Sequence, residues 1–591
     1  MNQSMRDAGI ILFVAGIAFL TNLGGPHLWD RDEPRNAGCA AEMLAANNWV
    51  KPIFNAELRE HKPVLTYWLM MISYAIFGVT EFSARLPSAL LGIGSSLLTW
   101  LIGRRLFGAR AGLWAGVAIA TTLMFGVASR AATPDAPLIF FSTLAIAIYI
   151  VGTTSKTDSE TVFVKDFPDS WPAILGMYAS MGMAVLAKGP IGLVLPTAVI
   201  GMFLLIRRLP EGQSDSPTTW SARFRKLVAP FAPVHFLKTC WTMKPITCLA
   251  CVAAIALPWY LWVHFRTDGE WTYGFFVKHN VGRAMNSMDG HRGNVLFYPV
   301  TLIVGFFPWS IFWLITLLDG LKTIRQINRY ASGYLFAFCW VGVYVALFSL
   351  AKTKLPSYIT PCYPGLAIAT GAFIDRWNRG SFQLSPIWSR LAFGSVMFVG
   401  TAVLIGIPIA SSLLVPGEMV LGLLGFIPLI GGLIALIASE RQQIPRATFA
   451  TAVTAILMSP AVFAFAAERI DRHRRVDEMV DSLYQNGSPE SVDVISFHSP
   501  ESSWIFYAKQ PIERFREPEE ARDALFGKNS QGQTRVLMTT TDKLTQLRPY
   551  LRESEIEIDT MPFFLEGTDI AIVRPVAKPV QQAKAESTTI R

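Results

Sequence analysis

Residues 31–36, Arg-Asp-Glu-Pro-Arg-Asn, set Asp32 and Glu33 side by side, with Arg35 close behind, just after the first apolar run of the chain. Lysines recur in a second context: Lys62 precedes Pro63, Lys188 lies two residues before Pro190, and Lys354 two before Pro356. Each proline opens an apolar run, at the helix position where its fixed φ and missing N–H cost nothing. The pattern predicts three lysines at three helix N-termini. A cation there opposes the helix dipole by roughly 0.3–1 kcal/mol, whereas a phosphate would be held by the N–H groups and the ammonium together. Asp135, between Pro134 and Pro137, stands at the first turn of another apolar run, placed to cap it. Such a set can let one carboxylate take the proton of an attacking hydroxyl or amine while lysines stabilise a departing phosphate. The plainer reading of any single lysine is snorkelling to lipid headgroups. The plainer reading of the acids is a solvated loop that ends a helix.

These residues sit in a membrane chain. Of 591 residues, 52% are hydrophobic and 16% charged, and the mean hydropathy is +0.37; a soluble domain carries roughly 25% charge. Thirteen spans are expected, at 8–23, 86–103, 111–128, 136–152, 171–187, 190–207, 245–264, 296–318, 332–350, 355–374, 389–413, 417–438 and 447–467. The apolar stretch 63–78 is a poor span, since its helix would reach only about 24 Å against a hydrocarbon core of about 30 Å. It is expected to lie along the outer interface, as is a helix near 35–46. The first apolar run lacks a small-residue cleavage site and reads as a retained span. The six cysteines follow no metal or disulfide spacing, and those in apolar runs read as small hydrophobes.

With that layout the basic residues sort to one side: Arg104, Arg105, Arg110, Arg207, Arg208, Arg223, Arg225, Lys226, Lys322, Arg325, Arg329, Arg376, Arg379, Arg441 and Arg446. This is the bias of cytoplasmic loops, so the N-terminus is expected inside and the C-terminal tail outside. The net charge of +9 therefore reports topology, and no nucleic-acid partner is expected. The outer loops carry Asp32, Glu33, Arg35, Lys62, Asp135, Lys188, Lys354 and Tyr358, and the fourth adds His279, Arg283, His291 and Arg292. Residues 468–575 alternate apolar stretches such as VDVISF, RVLMTT and DIAIVRP with charged helical patterns, which predicts a small α/β domain. Residues 576–591 have a disordered composition.

Several motifs together resemble a known family: RDEPRNAGCAAEML (31–44), NWVKPIFN (48–55), EHKPVLTYWL (60–69), FGVTEFSARLPSAL (77–90), LAKGPIGLVLP (186–196), PWYLWVHF (258–265), FFVKHNVGRAM (275–285) and KLPSYITPCYPGLAI (354–368). They are similar to the bacterial lipid-linked-sugar glycosyltransferases, the lipid A aminoarabinose transferase and its relatives in the protein O-mannosyltransferase superfamily, over about residues 10–375. The resemblance implies a GT-C fold in the inner membrane and a polyprenyl-phosphate-linked sugar donor. It further implies transfer with inversion on the extracytoplasmic side to a lipid or other envelope acceptor. Asp32 falls at the position of the catalytic carboxylate and Lys62 near the donor phosphate. Asp135, Lys188, His279, Lys354 and Tyr358 fall at positions around the cavity, and Glu33, Arg35 and Arg283 complete the candidate substrate-binding set.

The chain departs from the family pattern at His61, where Glu is common before the lysine, and at Asn36, where an aromatic is common. His61 and His279 lack metal-ligand spacing and read as hydrogen-bonding groups, with a divalent metal as the alternative; no other cofactor is expected. Protein O-glycosylation would use the same donor chemistry. A lipid-phosphate transporter or flippase would place its charges near the bilayer midplane and show internal repeats, whereas here they gather at one interface. A scaffold leaves the lysine–proline pattern unexplained.

Overall fold

A computed structural model of the protein describes residues 3–29, 31–157, 160–209, 228–282, 294, 296–485, 487–529 and 532–576. Arg223, Arg225, Lys226, Arg283, His291, Arg292 and the expected disordered tail beyond residue 576 lie outside them. The chain divides into two compact units, Met1–Ile470 and Asp471–Arg591.

The first unit is almost wholly helical. In order it runs α1 (Gln3–Leu20), α2 (Asp32–Ala45), a hairpin of β1 (Ile53–Phe54) and β2 (Glu57–Leu58), α3 (Leu65–Phe77), α4 (Glu81–Phe107), α5 (Ala109–Ala120), α6 (Leu123–Arg130) and α7 (Asp135–Thr153). A second hairpin, β3 (Thr154–Thr157) and β4 (Glu160–Phe163), leads to α8 (Trp171–Lys188), α9 (Ile191–Arg207), α10 (Pro233–Thr242) and α11 (Pro245–Arg266). Then follow α12 (Phe297–Gly305), α13 (Trp313–Arg325), α14 (Ala331–Leu350), α15 (Tyr363–Asn378), α16 (Pro386–Leu414), α17 (Phe426–Glu440) and α18 (Ile444–Pro460). Gly274–Val281 winds as a π-helix and Pro356–Cys362 as a 3-10 helix.

The expected count of thirteen spans needs correction. Each expected segment falls on helix, but among the described residues eight helices are long and apolar enough to cross a membrane, or ten when two bent pairs are each taken as one span. One pair, α5 and α6, bends by 64°, where Thr122 leaves the helical region for extended backbone. The other, α12 with the helix from Trp309, bends by 117°. Of the other segments, α9 has 17 residues and would reach about 25 Å. The segment at α15 is buried without a break from Tyr363 to Asp375, so it is a central helix with little lipid contact. Stretch 63–78 forms only the 13 residues of α3, too short to cross.

Apolar helices in lipid gain little from mutual hydrophobicity and associate by close packing of small residues. Gly371 of α15 shows this: a Cβ there would collide with the backbone of Ala111 and Ala115 on α5. Gly400 of α16 likewise lies against the backbone of Gly425 and Leu429, at the start of α17.

Polar ties then fix the segment that follows α1. Arg85, in the first turns of α4, donates from Nε to Glu33 Oε1 at 2.9 Å and from Nη2 to Oε2 at 2.8 Å. It also donates to the carbonyls of Leu23, Pro26 and His27. Glu33 accepts in addition from the Trp29 and Ala132 amides at 2.7 and 2.8 Å. Downstream, Glu42 of α2 accepts from the amides of Asn55 and Ala56 at 2.6 and 3.1 Å. Those two hairpin-turn residues both have φ near +57°; asparagine tolerates this conformation and alanine does not, so the Glu42 bonds hold a strained turn.

The second unit is a small α/β domain. Its five-stranded sheet has the order β6-β5-β7-β9-β8, with β5 (Val492–Phe497), β6 (Glu513–Phe515), β7 (Thr534–Thr540), β8 (Ile556–Pro562) and β9 (Asp569–Pro575). β5 runs parallel to β6 and β7, and β9 antiparallel to β7 and β8. The three strands expected from apolar runs are β5, β7 and β9, the inner strands. Their Ile495, Phe497, Leu537, Ala571 and Val573 share one core with Ala521 and Leu525 of α21 (Pro518–Phe526; α19 and α20 are Val476–Tyr484 and Ser502–Ala508) and with Leu544 and Leu547 of α22 (Thr541–Leu547). On the opposite face Arg574 bonds Ser482 of α19 and Asp559 of β8.

Burial alone would raise the Glu33 carboxyl, but the Arg85 charge, its hydrogen bonds and the two amides together hold it below the ordinary value of 4.5. The stability it contributes is then fully present above the unfolded-state value and is lost as pH falls through the lower folded one. Glu33→Ala leaves Arg85 buried and uncompensated, and should cost about 3–5 kcal/mol. The check is the thermal midpoint of the purified protein at neutral pH, which should fall well below that of wild type; an unchanged midpoint would remove Glu33 as the anchor.

Candidate functional site

The two adjacent acids have different fates. Glu33 is buried and fully engaged by Arg85 and backbone amides. Asp32, one residue earlier at the start of α2, is exposed. Both acids lie in the first turn, where a carboxylate suits the helix dipole. The exposed carboxylate is the one available to a reacting group. Arg35, three residues on, is half-buried.

Ala132 joins α2 to the next group. Its amide donates to Glu33, and its carbonyl accepts from Asn36 Nδ2 at 3.0 Å. Three residues later Asp135 opens α7 and forms an ion pair with Lys188, whose ammonium lies 5.6 Å from the centre of the Tyr358 ring. Asp135, Lys188 and Tyr358, distant in sequence, thus form one cluster. Thr133 Oγ1 lies 3.4 Å from the Asp135 carboxylate.

The expected lysine placement needs correction at two of three positions. Lys62 precedes α3, as the proline pattern predicts. Lys188 is instead the last residue of α8, and Gly189, with φ +88°, turns the chain into α9. A cation at a helix C-terminus is favourable, and so is its partner Asp135 at an N-terminus. Lys354 is buried and donates to the Ser349 carbonyl at 2.8 Å, in the last turn of α14, with its ammonium 5.3 Å from the Tyr298 ring centre. Both lysines therefore complement the end of the preceding helix. Proline spacing reports where the next helix opens and says nothing about which helix the preceding side chain serves.

The fourth loop supplies a second cluster. Glu60 Oε1 lies 3.2 Å from Lys278 Nζ and 3.6 Å from His279 Nε2. His61 and His279 lie with ring centres 4.0 Å apart and planes tilted by 32°. Gly274, in the π-helical turn carrying these residues, faces the Glu60 carboxylate so closely that a Cβ would overlap it. Lys62, half-buried, follows directly on His61. Among the described residues no group of three or more His, Cys, Asp or Glu is arranged to hold a metal ion. Glu60 and Lys278 were not expected site residues, although the run Arg-Glu-His-Lys at 59–62 and the neighbour of His279 carry the signal.

Residues 61–236 match the family model of dolichyl-phosphate-mannose–protein mannosyltransferases. The undecaprenyl phosphate-alpha-4-amino-4-deoxy-L-arabinose arabinosyl transferase of Pectobacterium carotovorum subsp. carotovorum is 30% identical over 418 residues, 69% of this chain and 67% of that protein. An uncharacterised protein of Aquifex aeolicus is 29% identical over 396 residues, 66% of this chain and 69% of its own. The crystal structure of ArnT from Cupriavidus metallidurans bound to undecaprenyl phosphate matches with a TM-score of 0.72 at 21% identity, covering 96% of this chain and 97% of that one, which shows a common fold. A shared fold, apolar helices and this similarity along two thirds of a relative's length agree: the chain belongs to the aminoarabinose arabinosyl transferase family of membrane glycosyltransferases, which use polyprenyl-phosphate sugars.

Proposed function

We propose that this glycosyltransferase moves a sugar from a polyprenyl-phosphate carrier to a lipid of the cell envelope on the extracytoplasmic face, with Asp32 as the general base. The observation that carries this reading is an exposed carboxylate at the start of α2, beside a buried neighbour wholly occupied by Arg85. The acceptor hydroxyl or amine gives its proton to Asp32 as its oxygen or nitrogen attacks the anomeric carbon. The bond from that carbon to the phosphate oxygen breaks, and its electron pair leaves with the polyprenyl phosphate. Attack from the face opposite the phosphate inverts the anomeric centre.

The leaving phosphate gathers negative charge, which Lys62, Arg35 and the Lys188–Tyr358 cluster would stabilise. The Glu60–Lys278–His279 group steadies the segment that bears them. The sugar class favoured by family membership is an amino-pentose on an undecaprenyl carrier. The segregation of basic residues into alternate loops supports an inside N-terminus and an outside second unit.

The deciding assay offers purified protein in lipid a panel of undecaprenyl-phosphate sugars, with lipid A as acceptor, read by mass spectrometry. Loss of sugar from one carrier with an equal mass gain on lipid A is the expected result; a mass gain on protein instead would make the chain a protein O-glycosyltransferase. Asp32→Asn should lower kcat by about 10²–10⁴-fold while the protein still accumulates, and full activity would remove Asp32 from the mechanism. Lys62→Ala should raise the donor KM by about 10–100-fold, as loss of a charge-assisted bond implies, with the acceptor KM barely moved; equal effects on both substrates would count against a phosphate role. Gly274→Ala should drive Glu60 away from Lys278 and His279, and so depress turnover with little change in thermal midpoint.

A further inference from the structure

The short helix α10 (Pro233–Thr242) is built inside out. His235, Thr239 and Thr242 recur at intervals of four and three residues, so they share one face, and that face meets the protein. Thr239 is buried. His235 Nε2 lies 2.9 Å from the Leu205 carbonyl in the last turn of α9, and Arg208 donates from Nη1 to Thr242 Oγ1 at 2.6 Å. Val234, Leu237 and Trp241 form the outward stripe, at intervals of three and four, and are 66, 66 and 69% exposed. A helix on a water-facing surface has the reverse arrangement, apolar residues inward and polar ones outward.

The surroundings of α10 say what covers that stripe. Its 10 residues reach about 15 Å, half of a hydrocarbon core of about 30 Å, so it does not cross. Met243, just beyond it, accepts from the Tyr178 hydroxyl of α8, and the Lys244 ammonium lies 4.6 Å from the ring centre of Trp171, the first residue of α8. The start of α8, the end of α9 and the start of α11 therefore stand at one end of the bundle, with α10 beside them. That end is basic. Arg207 and Arg208 share Asp166, whereas among the described residues Lys238 and Lys244 meet no carboxylate. Trp171 and Trp241 are both exposed there, and tryptophan is enriched at the headgroup level of membranes. Lys238, also exposed, borders the apolar stripe between Leu237 and Trp241. An apolar stripe edged by lysine and tryptophan is the make-up of a helix lying in a membrane interface.

We propose that α10 is an interfacial helix whose apolar stripe sits in lipid and whose neighbouring lysines, Lys238 and Lys244, bind the phosphate of anionic phospholipid. Lipid is the occupant because the stripe stands level with the last turn of a membrane helix, where water gives way to acyl chains. The unpaired ammonium groups beside it complement an anionic headgroup, and a lysine stem follows apolar surface while its charge stays among the phosphates. Bound this way, α10 steadies the end of α9 through Leu205 and Arg208. The inference is independent of Asp32 and of the sugar donor, so its test reads lipid rather than turnover.

Two measurements on the full chain test it. In the first, a benzoylphenylalanine in place of Leu237 is photolysed in nanodiscs of phosphatidylcholine and phosphatidylglycerol, and the adducts are read by mass spectrometry. Adducts to phospholipid are expected. Adducts only to protein, whether residues 210–227 of the same chain or a second copy, or no lipid adduct at all, would overturn the lipid assignment. In the second, wild type, Lys238→Gln and the double variant Lys238→Gln with Lys244→Gln are titrated in detergent with each phospholipid, and bound lipid is counted by native mass spectrometry. Wild type should hold phosphatidylglycerol more tightly than phosphatidylcholine. Each lysine removed should weaken phosphatidylglycerol by about fivefold, with phosphatidylcholine and the thermal midpoint unmoved. Equal affinity of wild type for the two lipids, or wild-type affinity for phosphatidylglycerol in the double variant, would overturn the headgroup role.

Discussion

The structure around the candidate site is governed by the cost of burying charge among apolar helices. A guanidinium or ammonium in that setting must find acceptors, and the free backbone carbonyls are those of helix ends and turns. Arg85 takes three such carbonyls and both Glu33 oxygens. Arg130 takes the carbonyls of Ala18, Phe19 and Asn22 at the end of α1, and that of Phe463. Lys354 takes those at the end of α14. Arg85 and Arg130 join elements far apart in the chain while Lys354 closes the helix just before it, so the satisfaction of charge and the positioning of helix ends are one event.

That constraint divides labour between chemically identical neighbours. Asp32 and Glu33 are both acids in one helical turn, yet one is locked to Arg85 and amides while the other stays exposed. The longer side chain of Glu33 reaches the anchor, and successive residues on a helix point about 100° apart, so its neighbour cannot follow. An exposed carboxylate and a rigid platform thus come from one dipeptide.

The fold was legible in sequence where burial follows a simple period. Apolar runs marked the thirteen expected segments as helix but not α10, and the inner strands β5, β7 and β9 announced themselves as apolar stretches. β6 and β8 were missed because they are sheet edges: β6 is three residues long, and β8 carries Glu557 and Asp559. Edge strands are kept short and charged against unwanted pairing, which erases the pattern that identifies a strand. Span counting failed where a run of constant apolarity conceals a bend, as between α5 and α6.

Sequence by itself determined that the chain crosses a membrane repeatedly, that a small α/β unit follows, and that acids and lysines gather in particular loops. It did so because hydropathy and helix-opening prolines act locally, over a turn or two. Only the tertiary structure decided which acid remains exposed, that Lys188 answers Asp135, and that Lys354 closes the helix before it. Those outcomes depend on which distant carbonyls and carboxylates come within about 3 Å of a charge, a property of packed helices that no spacing along the chain records.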